Sequence, residues 1–297
     1  MSNEIIRYYD SNTSRFLRFG HGSSSKAIHR AVWADGVENR QQAMNFVNSL
    51  IVDSVRSSGA KQLLDIGCGV GGSMIYIGGQ ISGHLSGVTI SPRQAETGRR
   101  LLNSSDCSEG CSIIAGDFTD PKLLEQLPMP FDTAYAIESF LHMPSAELFF
   151  KQAARVLKSG GDLFICDDVL ASDASDASGL QPPLSPKAKP RTRDRTSSYT
   201  RLLRRFKRGW QVGSLYTPAE LEALAESWGF RLNEQTDLTD YLELNRPRDL
   251  LIRLIVMLIG WAPWRKPFMQ NLLGGDSLQK LLLRGDLRYE LLHFQKK

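Results

Sequence analysis

The fold of this chain is decided by one stretch, Leu63-Leu64-Asp65-Ile66-Gly67-Cys68-Gly69-Val70-Gly71-Gly72. Its apolar first half predicts a buried strand, and the glycines that follow predict a tight turn into a helix. Because glycine has no Cβ, such a turn lets a nucleotide-like ligand lie directly against the backbone. The stretch therefore predicts a strand–turn–helix unit that binds a ligand.

Two ligand classes compete for this turn. Gly67, Gly69 and Gly72 satisfy the G-x-G-x-x-G pattern of dinucleotide sites. Asp65, two residues before the first glycine, argues against a pyrophosphate because the two negative charges would repel each other. It suits a cationic amino-acid ligand such as S-adenosylmethionine, which carries an ammonium and a sulfonium and no phosphate. The next strand also lacks the carboxylate that a nicotinamide cofactor needs about twenty residues after the glycines.

Short apolar runs alternate with helical stretches from residue 59 onward. Strands are predicted at 62–66, 85–90, 112–115, 133–137 and 162–167, and helices at 71–80, 92–102 and 146–157. This alternation predicts an α/β fold, a doubly wound and mostly parallel sheet whose ligands bind at the carboxyl ends of the strands. Outside this core, helices are predicted at 2–19, 27–33, 39–56, 217–229 and 249–261, and a last strand at 289–294.

The length and the cysteine content of the chain narrow the class of protein further. The chain has 297 residues, of which 41% are hydrophobic, so it can bury a full core. No signal-like segment opens the sequence, and no apolar run is long enough to span a bilayer. The four cysteines, at positions 68, 107, 111 and 166, have no further Cys or His pair beside them, so no metal site is predicted. Reduced thiols and a cytoplasmic location are expected.

The net charge of +4 conceals one basic segment. Residues 186–208 contain ten Lys and Arg against one carboxylate, so this segment carries +9 and the rest of the chain −5. Three interpretations stay open: a solvated face, a lid that binds a diphosphate through arginines at helical spacing, and an RNA-binding arm. Nucleic acid is the least favoured partner, because no recognised RNA module accompanies the segment and the rest of the chain is acidic.

Three motifs in sequential order resemble those of class I S-adenosylmethionine-dependent methyltransferases. They are Asp65-Ile66-Gly67-Cys68-Gly69 with Gly71, Gly116-Asp117-Phe118, and Ala136-Ile137-Glu138-Ser139, within residues 63–169. The resemblance implies an enzyme with a Rossmann-like, seven-stranded sheet, N-terminal lid helices and a C-terminal helical insertion. It implies S-adenosylmethionine as the methyl donor and S-adenosylhomocysteine as the product.

The resemblance also implies which residues contact the donor. Asp65 would anchor the methionine end, Asp117 would accept from the adenine amino group, and Phe118 would lie against the adenine ring. The full implied set is Asp65, Gly67, Cys68, Gly69, Thr89, Ile90, Ser91, Gln94, Asp117, Phe118 and Ile137. The second strand ends without the acid that often holds the ribose, which is similar to tocopherol-type and prenyl-diphosphate C-methyltransferases; Thr89, Ser91 and Gln94 can hydrogen-bond hydroxyls instead.

Glu138 and His142 are the candidate catalytic residues. Glu138 follows an apolar strand, so it falls at a carboxyl end, and His142 lies one helical turn further on. A carboxylate with an imidazole suits a general base, although a structural carboxylate is the alternative. A base is needed most when an alkene carbon is methylated, because the resulting carbocation must lose a proton.

The N-terminal residues look like the lid segment of bacterial small-molecule and terpenoid C-methyltransferases. This looser likeness rests on Tyr8-Tyr9-Asp10, Phe19-Gly20-His21-Gly22 and residues 28–33. The predicted substrate-binding residues are Tyr8, Tyr9, Trp33, Arg201, Arg204, Arg205 and Tyr216. Mg²⁺ is expected only if the substrate carries a diphosphate.

Four segments are predicted: a helical lid and pocket segment (1–58), a donor-binding core (59–170), a mobile basic loop or lid (171–208), and C-terminal helices with final strands (209–297). The predicted activity is C-methylation of a small hydrophobic isoprenoid or prenyl diphosphate in terpenoid or other secondary metabolism. The alternatives are O- or N-methylation of a natural product, a nucleic-acid-binding protein, and an idle adenosyl-binding subunit. A homo-oligomer stays possible. The apolar helix at 249–261 is interpreted as part of the core or as a dimer face, and contact with a bilayer surface or with an apolar substrate is the alternative.

Overall fold

The chain folds around one seven-stranded sheet in a computed structural model that describes residues 29–105, 107, 110–172, 193–244, 246–259 and 267–297. The predicted helix at 2–19, with Tyr8 and Tyr9, lies outside the described residues. So does most of the segment between the fifth strand and the basic helix.

The elements follow one another in the order that the alternating pattern predicts. They are α1 (Arg40–Ser58), β1 (Gln62–Ile66), α2 (Gly72–Gly78), β2 (His84–Thr89), α3 (Pro92–Asn103), β3 (Cys111–Ala115), α4 (Pro121–Leu124), β4 (Phe131–Ile137), α5 (Ala146–Val156), β5 (Leu157–Leu170), α6 (Arg193–Gly209), α7 (Pro218–Ser227), β6 (Phe230–Asp237), α8 (Pro247–Ile259), α9 (Pro267–Leu283) and β7 (Leu287–Lys296). Short 3₁₀ helices follow β4 (Phe140–His142) and β6 (Thr239–Tyr241).

The strand order is β3-β2-β1-β4-β5-β7-β6. The strands from β3 to β5 pair in parallel, and β7 is antiparallel to both β5 and β6. The predicted fold, a doubly wound and mostly parallel sheet, is confirmed. Because β1, β2, β3 and β4 run in parallel, the residues that follow them meet at one edge of the sheet.

The sheet is buried on both faces, as a parallel sheet must be. Alternate residues of β1 divide between two apolar clusters: Leu64 and Ile66 join the cluster beneath α5 and α7, and Leu63 joins the one beneath α1 and α2. A third cluster lies between α6 and α9 and includes Phe206 and Leu281. This third cluster also contains Leu141 of the 3₁₀ helix after β4, so the α6–α9 pair packs beside the end of that strand.

The structure departs from the sequence-based expectations at several places. Residues 29–33 are not helical, because the Val32 and Trp33 amides bond to the carbonyls of Ala43 and Tyr241. The predicted loop is a helix from Arg193 onward, and β6 and α9 were not predicted. Within the described residues, no helix has both the length and the apolar character needed to cross a membrane.

Candidate active site

The glycine turn after β1 packs against the sheet on one side and leaves its backbone accessible on the other. Gly67, Gly69 and Gly71 have φ angles of 89°, 56° and 81°, which side chains rarely adopt. The Gly67 amide donates to the Val88 carbonyl at 2.8 Å. A Cβ on Gly67 would overlap the Ser139 side chain, whereas a Cβ on Gly69 would meet no described residue within 4 Å. The turn thus leaves bare backbone facing open space at Gly69.

Asp65, at the end of β1, is a buried carboxyl group with an unsatisfied oxygen. It is 4% exposed, and its Oδ2 has no hydrogen-bond partner among the described residues. Burial raises its pKa to about 8, and the neighbouring Tyr135 hydroxyl offsets this only in part. A buried polar atom without a partner is costly, so this position favours a ligand that brings a positive charge or a donor.

The polar residues after β2 are linked to one another by hydrogen bonds. Ser91 caps α3 by accepting from the Gln94 amide at 3.1 Å, and the Thr89 hydroxyl donates to Gln94 Oε1 at 2.8 Å. The side-chain amide nitrogen of Gln94 is thereby turned away from Thr89. Ile90 is half-buried beside them.

Asp117 and Phe118, after β3, have separate environments. Asp117 Oδ1 accepts from the Thr119 amide at 2.9 Å and from the Thr119 hydroxyl at 2.7 Å, which fixes the turn. Phe118 is 2% exposed and packs against Phe149, with ring centroids 5.8 Å apart. The structure therefore favours a packing role for Phe118, and its predicted contact with a ligand stays a prediction.

Glu138, after β4, has a left-handed backbone with φ of 51°. Such a conformation is strained in a residue with a side chain, and strained residues cluster at functional sites. Its Oε1 accepts from the Tyr289 hydroxyl at 3.0 Å and from the Arg30 backbone amide at 2.8 Å. The half-buried carboxylate is thus fixed by one residue before the sheet and one from β7.

Arg30 joins these groups into a closed network. Its guanidinium donates two hydrogen bonds of 2.6 Å to Asp168 on β5 and lies 4.7 Å from the centre of the Tyr289 ring. Burial alone would lower the pKa of Arg30, but the charges of Asp168 and Glu138 keep it above its usual value. Burial raises the pKa of Asp168, and Arg30 counteracts this. We call Arg30, Glu138, Asp168 and Tyr289 the acceptor-side network.

Burial favours the neutral forms of two further titratable groups beside this network. Burial lowers the pKa of His142 to about 4, although hydrogen bonding with the backbone of Gln211 and Trp210 partly opposes this. Burial and the charge of Asp168 raise the pKa of Asp167 to about 8, and Asp167 accepts from the Leu141 amide at 2.8 Å.

Comparisons with known proteins agree with this architecture. Residues 64–165 match the family described as Methyltransferase domain. The chain contains a class I S-adenosylmethionine-dependent methyltransferase domain. S-adenosylmethionine is the cofactor of this domain.

Two curated relatives of the methyltransferase domain differ in the share of their own length that matches this chain. A sterol 4-C-methyltransferase of Caenorhabditis elegans is 29% identical over 203 residues, which are 67% of this chain and 53% of the nematode protein. The matched part thus spans about half the length of that relative. An O-methyltransferase of Aspergillus nomiae is 28% identical over 239 residues, 80% of this chain and 93% of the relative.

Solved structures share this fold at low sequence identity. The cyclopropane synthase MmaA2 of Mycobacterium tuberculosis has a TM-score of 0.70 at 17% identity, covering 99% of this chain and 98% of the other. A geranyl diphosphate C-methyltransferase of Streptomyces coelicolor, solved with Mg²⁺, geranyl diphosphate and S-adenosyl-L-homocysteine, has a TM-score of 0.63 at 15% identity. It covers 99% of this chain and 97% of the other. At these identities the likeness shows the fold alone.

The residues of the methyltransferase domain fit this cofactor. The unpartnered Asp65 Oδ2 offers a buried acceptor to a cationic amino-acid end, and Gly69 leaves open space beside bare backbone. The structure brings the turn after β1 and the ends of β2, β3 and β4 to one edge of the sheet, as predicted. Cys68 and Ile137 are buried within this edge.

The predicted substrate residues do not converge in the same way. Trp33 is 37% exposed, and Tyr216 packs on the cluster beneath α5 and α7. Arg201 and Arg204 are exposed and Arg205 is half-buried on α6, whose Leu202 and Phe206 face inward. Among the described residues, no group of three or more His, Cys, Asp or Glu could hold a metal ion.

Sequence reasoning missed three of the four residues of the acceptor-side network. Asp168 directly follows the predicted strand 162–167, and Tyr289 begins the predicted strand 289–294. Arg30 lies within the residues that resemble a lid segment. The available signal was position at a strand end, but nothing in the sequence shows that these three residues meet.

Proposed function

We propose that this chain transfers a methyl group to a carbon of a small, apolar, isoprenoid-type alkene, with Glu138 as the general base. One observation carries the proposal. The Glu138 carboxylate is fixed at the carboxyl end of β4 in a strained backbone, with Oε1 accepting from both Tyr289 and Arg30.

The donor would be held along the edge formed by β1, β2 and β3. We propose that Asp65 binds the ammonium of its methionine end and that Gly67 and Gly69 let the backbone approach. Thr89, Ser91 and Gln94 would bind the ribose hydroxyls, and Asp117 the adenine amino group. S-adenosylmethionine, when bound, supplies an electrophilic methyl group on a sulfonium, so the chain mainly has to align the acceptor with it.

Glu138 would take the proton that the methylated carbon must lose. Both hydrogen bonds from described residues end on Oε1, so Oε2 is the oxygen oriented for the substrate. Arg30 and Tyr289 would act as positioning residues, because their hydrogen bonds hold the carboxylate. Burial lowers the pKa of His142 to about 4, so its imidazole is a weak base and Glu138 is the residue that takes the proton.

The network also favours positive charge on the substrate. Asp168 neutralises Arg30 through two hydrogen bonds, so the network keeps one net negative charge, on Glu138. Burial favours the neutral forms of Asp167 and His142. A fixed negative charge beside a developing carbocation lowers the barrier, because it needs no reorganisation during the reaction.

O-methylation is a second candidate function, and one observation favours it. The Aspergillus nomiae O-methyltransferase is matched over 93% of its length, more than the sterol enzyme. In this case Glu138 would take a proton from a phenolic or carboxylic hydroxyl before methyl transfer. A cytoplasmic location, which agrees with four free thiols, remains part of the proposal.

A labelled-donor experiment separates the two candidates. The full chain is incubated with S-adenosylmethionine carrying a deuterated methyl group and with prenyl diphosphates, the matching prenols, phenols and carboxylic acids. C-methylation of an alkene gives a product in which the label sits on carbon by NMR and one vinyl or allylic hydrogen has been lost. Label found on oxygen alone would replace the proposal by O-methylation.

A further inference from the structure

Residues 29–33 form an extended segment, which we call the strap, and its two ends have different partners. At its carboxyl-terminal end, the Val32 and Trp33 amides donate to the carbonyls of Ala43 and Tyr241 at 2.9 and 2.8 Å. At its amino-terminal end, the strap contacts the helix after the glycine turn and the residue that follows β4. The strap therefore joins the periphery of the sheet to the candidate active site.

A hydrogen bond links His29 to the helix that follows the glycine turn. Its Nε2 lies 2.5 Å from the hydroxyl oxygen of Ser73, which is buried in the first turn of α2. Burial lowers the pKa of His29, and the charge of Glu138 opposes this in part. The neutral imidazole is thereby favoured, and it can bond to a hydroxyl either as a donor or as an acceptor.

The next residue along the strap holds the Glu138 carboxylate. The Arg30 amide, which belongs to the peptide bond between His29 and Arg30, donates to Glu138 Oε1 at 2.8 Å. Because a peptide unit is planar, the placement of His29 restricts the direction of this N–H. The Arg30 guanidinium is fixed separately by Asp168. Several rotatable bonds lie between that guanidinium and the amide, so the Asp168 contact alone does not orient the N–H.

We propose that His29 is a positioning residue for Glu138 and acts through the peptide bond that it shares with Arg30. The Ser73 contact holds this peptide bond so that its N–H meets Oε1, which leaves Oε2 for the acceptor. The inference rests on the proposed function, in which Glu138 takes a proton. Precise placement of a reacting group matters because a shift of about 1 Å can cost about 10²-fold in rate.

Hydrogen exchange of the Arg30 amide tests this inference without any acceptor. The full chain is labelled with ¹⁵N-arginine, and exchange is followed by NMR. We expect exchange about fivefold faster in His29→Ala and in Ser73→Ala, because one hydrogen bond that holds the peptide is lost. His29→Gln should exchange like the wild type, since its amide reaches the position of Nε2. His293→Ala is the matched control, because this half-buried histidine on β7 bonds to Asp162 at 2.8 Å instead.

Turnover measures the consequence for the reaction. The acceptor is whichever prenol, prenyl diphosphate, phenol or acid is methylated in the labelled-donor experiment. We expect kcat to fall about tenfold in His29→Ala and in Ser73→Ala, with calorimetric affinity for S-adenosylhomocysteine unchanged. The double variant should lose no more than either single variant, because the two side chains form one contact. His29→Gln should recover most of kcat, and His293→Ala should keep the wild-type value.

The outcomes separate this inference from the proposed function. Unchanged Arg30 exchange in His29→Ala, or kcat losses that add in the double variant, would overturn the inference and leave Glu138 as the proposed base. A fall in donor affinity that accounts for the loss of turnover would also overturn it, because His29 would then support the glycine turn. Label on oxygen alone overturns C-methylation, whereas faster Arg30 exchange in His29→Ala would still support the positioning of Glu138.

Discussion

The donor side and the acceptor side of this site are built in different ways. The donor-side residues lie between positions 65 and 117, and those from Thr89 to Asp117 are fixed by turns or caps that near neighbours in sequence make. The acceptor-side network joins residues that are 108, 138 and 151 positions apart. A local site can be identified from motifs, whereas the acceptor-side network exists only once the sheet is complete. Substitutions should therefore separate donor binding from turnover.

The largest effect is expected from Glu138→Gln. An amide keeps the size of the side chain but cannot take a proton, so turnover should fall about 10²- to 10⁴-fold. Donor affinity, measured by calorimetry, should be unchanged because the donor-side residues are untouched. Glu147→Gln, on the exposed face of α5, is the control. Unchanged turnover in Glu138→Gln would remove the general-base role.

The next effect concerns the buried ion pair of the acceptor-side network. In Asp168→Asn the Arg30 charge loses the carboxylate with which it pairs among the described residues, and the side chains are 18% and 0% exposed. We expect the free energy of unfolding in urea to fall by about 3 kcal/mol. Glu243→Gln breaks the Arg40 pair, whose side chains are about one-third exposed, and should cost less than about 1 kcal/mol. Equal losses would show that Asp168 has no special structural role.

The donor side should respond to pH through Asp65. Its pKa is raised to about 8, so the free chain holds this group protonated below pH 8. A cationic ligand favours the ionised form, so donor affinity should rise by up to about tenfold per pH unit as the pH approaches 8 and then level off. Asp65→Asn should flatten this profile. A wild-type affinity that is independent of pH between 6 and 8 would contradict the assignment.

The smallest effect compares two fully buried tyrosines. Tyr289→Phe removes one hydrogen bond to Glu138, so kcat should fall about fivefold while donor affinity stays unchanged. Tyr135 lies on the donor side, with its hydroxyl beside Asp65 rather than Glu138. Tyr135→Phe should therefore leave kcat unchanged. A larger kcat loss in Tyr135→Phe than in Tyr289→Phe would contradict the assignment of Tyr289 to the acceptor side and of Tyr135 to the donor side.

The same contrast explains how much the sequence could predict. The strands from β1 to β5 were predicted near their true positions, because strand alternation and turn glycines are local signals. Strand β6 was not, since most of its residues are polar and partly exposed. Helix α9 contains Gly274 and Gly275, which weaken the helical signal, yet close packing of Gly274 against Gly209 requires a residue without a side chain. Residues 29–33 are extended because their partners lie elsewhere in the chain.

Within the site, the residues that could be predicted are again those whose signal is local in the sequence. Asp65, Gly67 and Gly69 were identified because a strand and its turn are contiguous. Glu138 was identified as a carboxylate at a strand end, but its partners Arg30 and Tyr289 could not be. Arg201 and Arg204 were predicted to bind a diphosphate from their spacing alone. Their exposure on α6 could not be deduced without knowing that Leu202 and Phe206 pack toward α9.

The position of β7 between β5 and β6 has a consequence for the order of folding. Strand β6 is bonded to the sheet only through β7, which follows all the other strands in the chain. During synthesis, β1 to β5 can pair before β7 emerges, whereas β6 must wait and Glu138 lacks Tyr289 until then. Competence to bind the donor should therefore be acquired before competence to turn it over. A refolding experiment that follows both should see donor binding recover first and methyl transfer last.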